Sequence, residues 1–408
     1  MSLEISVTDR FPAMKYRDFQ KLFVSNAITN VGFWLTTIAL YSLFIFRTDI
    51  GAIQIGTLAF VGVAPRVLAG PLAGVVVDRF DRRTVIYASE LLSGALVSVV
   101  YLFPSFLLTY LVYFLVGLLT AAADPAHEAI LPQIVPDDEL TQANGLMATS
   151  ESIAQILGPA LAGGLLTLVS AETLLLIDIA TYGISAVIVV TVSRYTVNTE
   201  DESMLENLKA GVRTIVDSRR LLGLSGTGVV LFATIAPFEA LITLYIRDVL
   251  STGPSVYGTA VGLTAAGAFV AGIMTNAYGK SIDERSMIPY ALLVTGSAMF
   301  GHVVFRSPAS LFALSFVMGL GTATSAILMT TLIQQSCEER LHGRVLATFS
   351  SSTEGAQSAF MVVAALAASS VGVLAVFSGA GIILVACGVA YSITSATLVP
   401  VGNSAANS

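Results

Sequence analysis

Ionisable residues set inside long apolar stretches are the ones in this sequence that could do chemistry. Glu239 interrupts IAPFEALITL beside Pro237, Glu151 sits in MATSESIAQ, and Arg66 sits in VAPRVLAG. Glu354 shares its stretch with Ser350, Ser351, Gln357 and Ser358. A charged side chain costs about 2.5–3.5 kcal/mol at the centre of a membrane, so such residues persist where they bind, pair or move ions. Partial burial penalises the ionised form of a carboxyl, which suits Glu239 to take up and release a proton. Its own stretch has no basic residue to hold it ionised, and Glu354 and Glu151 are further candidates for proton coupling. Glu354 and its polar neighbours recur at a spacing that gathers them on one helical face. Asn26, Asn30, Trp34 and Thr37 form a similar stripe, and both stripes read as the lining of a polar cavity. With only three histidines and two cysteines, Cys337 and Cys387, there is no metal-ligand spacing. No G-x-x-x-x-G-K-[ST] occurs, which argues against ATP coupling. Neither an enzyme nor a bound cofactor is expected.

The elements that must hold these residues follow from composition. The 408 residues are 55% hydrophobic and 12% charged, about half the charge of a soluble domain, where it is near 25%. Twelve apolar windows appear, at about 22–46, 53–77, 84–103, 107–123, 144–168, 172–193, 223–246, 257–279, 287–305, 309–333, 345–369 and 372–398. Each can cross a hydrocarbon core as a helix of about 20 residues. They are continuously apolar, whereas barrel strands would alternate. An all-α polytopic membrane protein is predicted.

Sixteen of the twenty Lys and Arg residues fall in segments that a cytoplasmic N-terminus would place inside. Only Arg47, Arg247 and Arg306 fall outside, and Arg66 lies within a span, so both termini are expected in the cytoplasm. No cleavable signal is evident, and the first span is expected to direct insertion. The net charge of −7 and the absence of a basic run exclude nucleic acid as a partner.

Residues 193–222 form the longest hydrophilic segment. Leu205, Leu208, Val212 and Ile215 recur there at helical spacing, which predicts an amphipathic helix on the inner surface. It divides a first half, 1–192, from a second, 223–408. Sliding the sequence by 202 places Gly56, Thr57, Gly70 and Arg83 over Gly258, Thr259, Gly272 and Arg285. Sliding it by 201 places Leu131, Gln133 and Leu140 over Leu332, Gln334 and Leu341. The two halves read as repeats of one six-helix unit, as in transporters that rock about a central site.

GVVVDRFDRR, Gly74 to Arg83, places five charges at the end of the second span. It fits G-x-x-x-D-R-x-x-R-R through Gly74, Asp78, Arg79, Arg82 and Arg83, and in this it resembles the major facilitator superfamily. AQILGPALAGG resembles the glycine-proline motif in helix five of the antiporter branch, through Gly158, Pro159 and Gly163, with Ala162 where the usual glycine pair begins. DPAHEAILPQIVPDDELTQANGL, Asp124 to Leu146, is similar to the loop after helix four in exporters of the enterobactin and macrolide-efflux type. The resemblance covers essentially the whole chain.

That resemblance implies two pseudo-symmetric six-helix bundles and a plasma-membrane transporter working by alternating access as a monomer in the lipid bilayer. Gly74, Asp78, Arg79, Arg82 and Arg83 would form a conformational latch on the cytoplasmic side. Arg66 and Glu354 lie about 18 and 15 Å deep at 1.5 Å per residue. Helices two and eleven face each other in this fold, so the two would form a midplane ion pair. Helices three and six are peripheral, so Glu90 and Asp178 read as structural. The implied function is export of a small amphipathic molecule driven by protons, with sodium as the other candidate ion. The alternative is an importer or facilitator of a polar nutrient.

Overall fold

The computed structural model describes residues 11–45, 50–58, 60–62, 64–65, 79–166, 168–195, 204–278, 284–338 and 341–397. Among these the secondary structure is helical throughout. A short 3₁₀ turn, Pro12–Lys15, precedes α1 (Arg17–Ile45). There follow α2 (Arg82–Leu102), α3 (Phe106–Ile134), α4 (Asp137–Leu165), α5 (Ala171–Val190), α6 (Met204–Asp217) and α7 (Arg219–Leu244). After α7 come α8 (Pro254–Tyr278), α9 (Glu284–Val304), α10 (Pro308–Gln334), α11 (His342–Val371) and α12 (Val373–Thr397). Ten helices among the described residues are long and apolar enough to cross a membrane. α4 is as long but less apolar, with Ser150, Glu151, Ser152 and Gln155 in its middle. The second predicted window is helical where it is described, between Ala52 and Pro65.

Local sequence sets several boundaries. Ser170 and Ser218 accept hydrogen bonds from the backbone N–H groups of Thr173 and Leu221, which satisfies donors the first turn leaves open. Ser307 and Ser310 cap each other reciprocally, and Pro308 occupies the first turn of α10, where its missing N–H is not needed. Gly372 separates α11 from α12 at φ +83°, a conformation that suits glycine. α7 continues into a π-helical turn, Tyr245–Val249.

One expectation is corrected. Asp124–Leu146 is not a loop: α3 runs on to Ile134, and the chain breaks only at Val135 and Pro136 before α4. Ala123, Ala126, His127, Ile130 and Leu131 are buried at helical spacing, as are Ala143 and Met147. Leu22 packs with Ala126 and Ile130, and Phe19 packs with Leu131 and Met147. The polar residues that suggested a loop, Asp124 and Glu128, lie on the exposed face of a continuing helix.

Contacts divide the chain into two compact units, Met1–Glu206 with Ser251–Gly262, and Asn207–Leu250 with Leu263–Ser408. In the first, α1 packs on α4 and α5, while α2 packs on α3 and α5. In the second, α7 packs on α11 and α12, while α9 packs on α10 and α12. The two pairing patterns are counterparts, helix for helix. The amphipathic helix α6 tucks Ile215 among Leu221, Val345 and Phe349. A Cβ at Gly211 would lie 2.1 Å from Thr348 Oγ1 and 2.5 Å from the Arg344 carbonyl, so α6 rests directly on α11.

Candidate functional site

In the second unit, α7 brings Glu239 to α11, where Gln357 Nε2 donates to Glu239 Oε2 at 2.5 Å. From Ala233 to Ile246 every residue of α7 and its π turn is buried except Glu239. Its side chain is thus the one exposed group on an otherwise buried stretch. The partner is a neutral amide. An ionised Glu239 accepts from the Gln357 NH₂, and a protonated one can donate to the same amide's oxygen after a flip. The pair therefore fits both protonation states.

The rest of the α11 stripe is mixed. Ser350, Ser351 and Glu354 are exposed, whereas Ser358 is buried and donates to the Glu354 carbonyl at 2.7 Å. Arg66 lies outside the described residues, and with it the midplane pair.

On α1 the predicted stripe divides. Asn30 Nδ2 donates to Asn26 Oδ1 at 2.8 Å, and both residues line a polar cavity in the first unit. Thr37 is buried, donating to the Phe33 carbonyl at 2.8 Å and lying 3.1 Å from Tyr113 Oη, so it joins helices instead. Trp34 packs on the glycine-proline stretch of α4. A Cβ at Gly158 would lie 2.5 Å from its ring. Pro159 and Ala162 are buried, and Gly163 meets Gly258 of α8 so closely that a Cβ would fall 2.3 Å from the Gly258 Cα. Small residues thus let backbones touch. Glu151 is exposed on α4.

Of the charged motif, Gly74 and Asp78 lie outside the described residues and Arg79 is exposed. Arg82 Nη1 donates to the Ala129 carbonyl of α3 at 2.9 Å. Arg83 Nη1 donates to the Val192 carbonyl, just past α5, at 2.7 Å. Lys21 Nζ reaches the neighbouring Thr191 carbonyl at 2.6 Å. Cations at a helix C-terminus meet its unpaired carbonyls and the negative end of its dipole.

Spacing along the sequence did not reveal a convergence inside the first unit. Thr29 Oγ1 donates to Glu90 at 3.0 Å and lies 3.0 Å from Ser185 Oγ, which is 2.6 Å from Ser25 Oγ. His127 lines the same cavity as Glu90. The available signal was the ionisable pair Glu90 and His127 within apolar stretches. Asp178 is fully buried and accepts from Thr36 and Thr181, so it joins α5 to α1.

The sequence profile described as Major Facilitator Superfamily matches residues 22–352. The chain belongs to the Major Facilitator Superfamily. It is a multi-pass membrane transporter. This major facilitator is 27% identical to the MFS-type transporter YvqJ of Bacillus subtilis over 91% of each chain. It is 24% identical to macrolide efflux protein A of Enterococcus faecalis over 72% of this chain and 95% of that one. Among solved structures, a bacterial homologue of the human lysosomal transporter Spinster, inward-facing and occupied, superposes with TM-score 0.73. That likeness covers 93% of this chain and 96% of the other at 13% identity, and it supports the shared fold.

Proposed function

We propose that this major facilitator is a proton-coupled exporter of a small amphipathic molecule, working by alternating access with Glu239 as the coupling carboxyl. The observation that carries this reading is the Glu239–Gln357 pair, a carboxyl in a membrane-spanning helix whose recorded partner is a neutral amide. An ionised carboxyl needs water or a cation, whereas a neutral one can be enclosed with far less penalty. Protonation of Glu239 would thus permit a state in which it is enclosed, and ionisation would favour a state in which water reaches it. A proton entering from outside and leaving inside would bias that cycle toward export. Export is also the direction named for macrolide efflux protein A. The same proposal places a monomer in the plasma membrane with both termini in the cytoplasm. Gly74, Asp78, Arg79, Arg82 and Arg83 then form the cytoplasmic latch, and Arg66 pairs with Glu354 at the midplane.

Purified protein in proteoliposomes, assayed with dyes, macrolides and siderophores, tests the reading. An imposed pH gradient should drive accumulation of at least one compound against its own gradient, with no need for sodium. Accumulation that follows a sodium gradient alone, or equilibration without accumulation for every compound, contradicts it.

A further inference from the structure

We infer that the polar cavity inside the first unit binds the neutral, hydroxylated end of the transported molecule, taking a pair of neighbouring hydroxyl groups. This deepens the proposed function and rests on it for the cargo being amphipathic. The site is separate from Glu239, which lies in the second unit. The cavity is lined from α1, α2, α3 and α5 and has a volume of about 70 Å³. One water needs roughly 10–15 Å³, so several water-sized groups fit.

The amides of α1 set the chemistry. Asn30 Nδ2 spends both of its hydrogens on Asn26, donating to the backbone carbonyl at 2.9 Å and to Oδ1 at 2.8 Å. That leaves the Asn26 NH₂ as a donor and Asn30 Oδ1 as an acceptor, one helical turn apart on the cavity wall. Ser89 and Ser93 of α2 line the same cavity, also one turn apart, and a hydroxyl both donates and accepts. An ammonium group carries donors alone and would leave the Asn26 NH₂ unmatched. A carboxylate carries acceptors alone and would meet Asn30 Oδ1. A hydroxyl answers both. Phe33 of α1 and Tyr182 of α5 add ring surface for the carbons that carry the hydroxyls.

His127 of α3 is a second, independent observation. It lines the cavity at 7% exposure, and its buried Nδ1 has no hydrogen-bond partner. Buried polar side-chain atoms are nearly always bonded, so an orphan nitrogen on a residue of a polar cavity points to a ligand atom. A neutral imidazole nitrogen donates or accepts according to its tautomer, and a hydroxyl suits either.

Equilibrium binding of radiolabelled hexyl glucoside to the full-length protein in lipid nanodiscs, with empty nanodiscs subtracted, tests the site without any gradient. The glucoside should bind saturably, and hexylamine or hexanoate in equal excess should not displace it. Asn30→Ala should weaken binding about 2–10-fold, as the loss of one hydrogen bond does, and so should Ser89→Ala combined with Ser93→Ala. Ser98→Ala, on the same helix but outside the cavity lining, should leave binding unchanged. Melting temperatures check folding, and should Asn30→Ala fail to fold, the serine variant decides. The inference is overturned if no saturable binding appears, if the amine or the carboxylate displaces the label as well as unlabelled glucoside does, or if the folded variants bind as tightly as the wild type. Binding that follows the expected pattern while pH-driven accumulation fails would reject the proposed exporter cycle and uphold this site.

Discussion

At Gly163 and Gly258 two helices meet with no room for a side chain. A Cβ at either would fall 2.1–2.3 Å from the other's Cα, and backbone cannot swing aside as a side-chain tip can. Gly163→Ala should therefore lower stability by about 1–3 kcal/mol, the usual cost of overpacking. Gly164→Ala is the control, because nothing lies within 4 Å of its added carbon. Thermal unfolding in detergent compares them, and equal melting temperatures would refute the close approach. Gly372 raises a different constraint, since φ +83° is strained for any residue with a Cβ. Gly372→Ala should cost about 1–3 kcal/mol through that strain, although open space surrounds the site. The same melts read it.

At the scale of elements, basic residues that the sequence offers as markers of topology also hold helix ends. Arg83 and Lys21 both reach carbonyls at the end of α5. A hydrogen bond from a charged donor contributes about 1.5–3 kcal/mol, so Arg83→Gln should loosen this end of the unit. Hydrogen exchange should show faster opening of the last turn of α5 while the first turn stays protected; uniform exchange along the helix would mean the contact is incidental. Most helices were legible because an apolar run of membrane length has few other fates. The continuation of α3 was not, because Asp124 and Glu128 look like loop residues until the burial of Ala126, His127, Ile130 and Leu131 is seen. The Thr29–Glu90–Ser185 convergence was hidden for another reason. Three helices far apart in sequence meet there, and no spacing along one helix encodes it. Glu239 was legible as an interruption of an apolar run, but its partner Gln357 became visible only when α7 and α11 packed.

At the scale of the whole molecule, transport requires two states close enough in free energy to exchange. The latch proposed at Asp78 would bias them. A contact of about 1–2 kcal/mol shifts a balanced equilibrium severalfold, so Asp78→Asn should expose inner-side positions to more cysteine labelling while the protein still folds. Unchanged labelling with lost transport would assign Asp78 another role. The coupling proposed at Glu239 is the step on which export depends. Glu239→Gln imitates the protonated carboxyl permanently, which should uncouple the proton from the cycle without removing the binding site. The decisive measurement is uptake, into inside-out proteoliposomes bearing Glu239→Gln, of whichever labelled compound the wild-type protein accumulates, with an imposed pH gradient and, separately, under downhill exchange. Accumulation against the gradient should be lost while downhill exchange continues near the wild-type rate. Accumulation that persists in Glu239→Gln would contradict coupling at this residue.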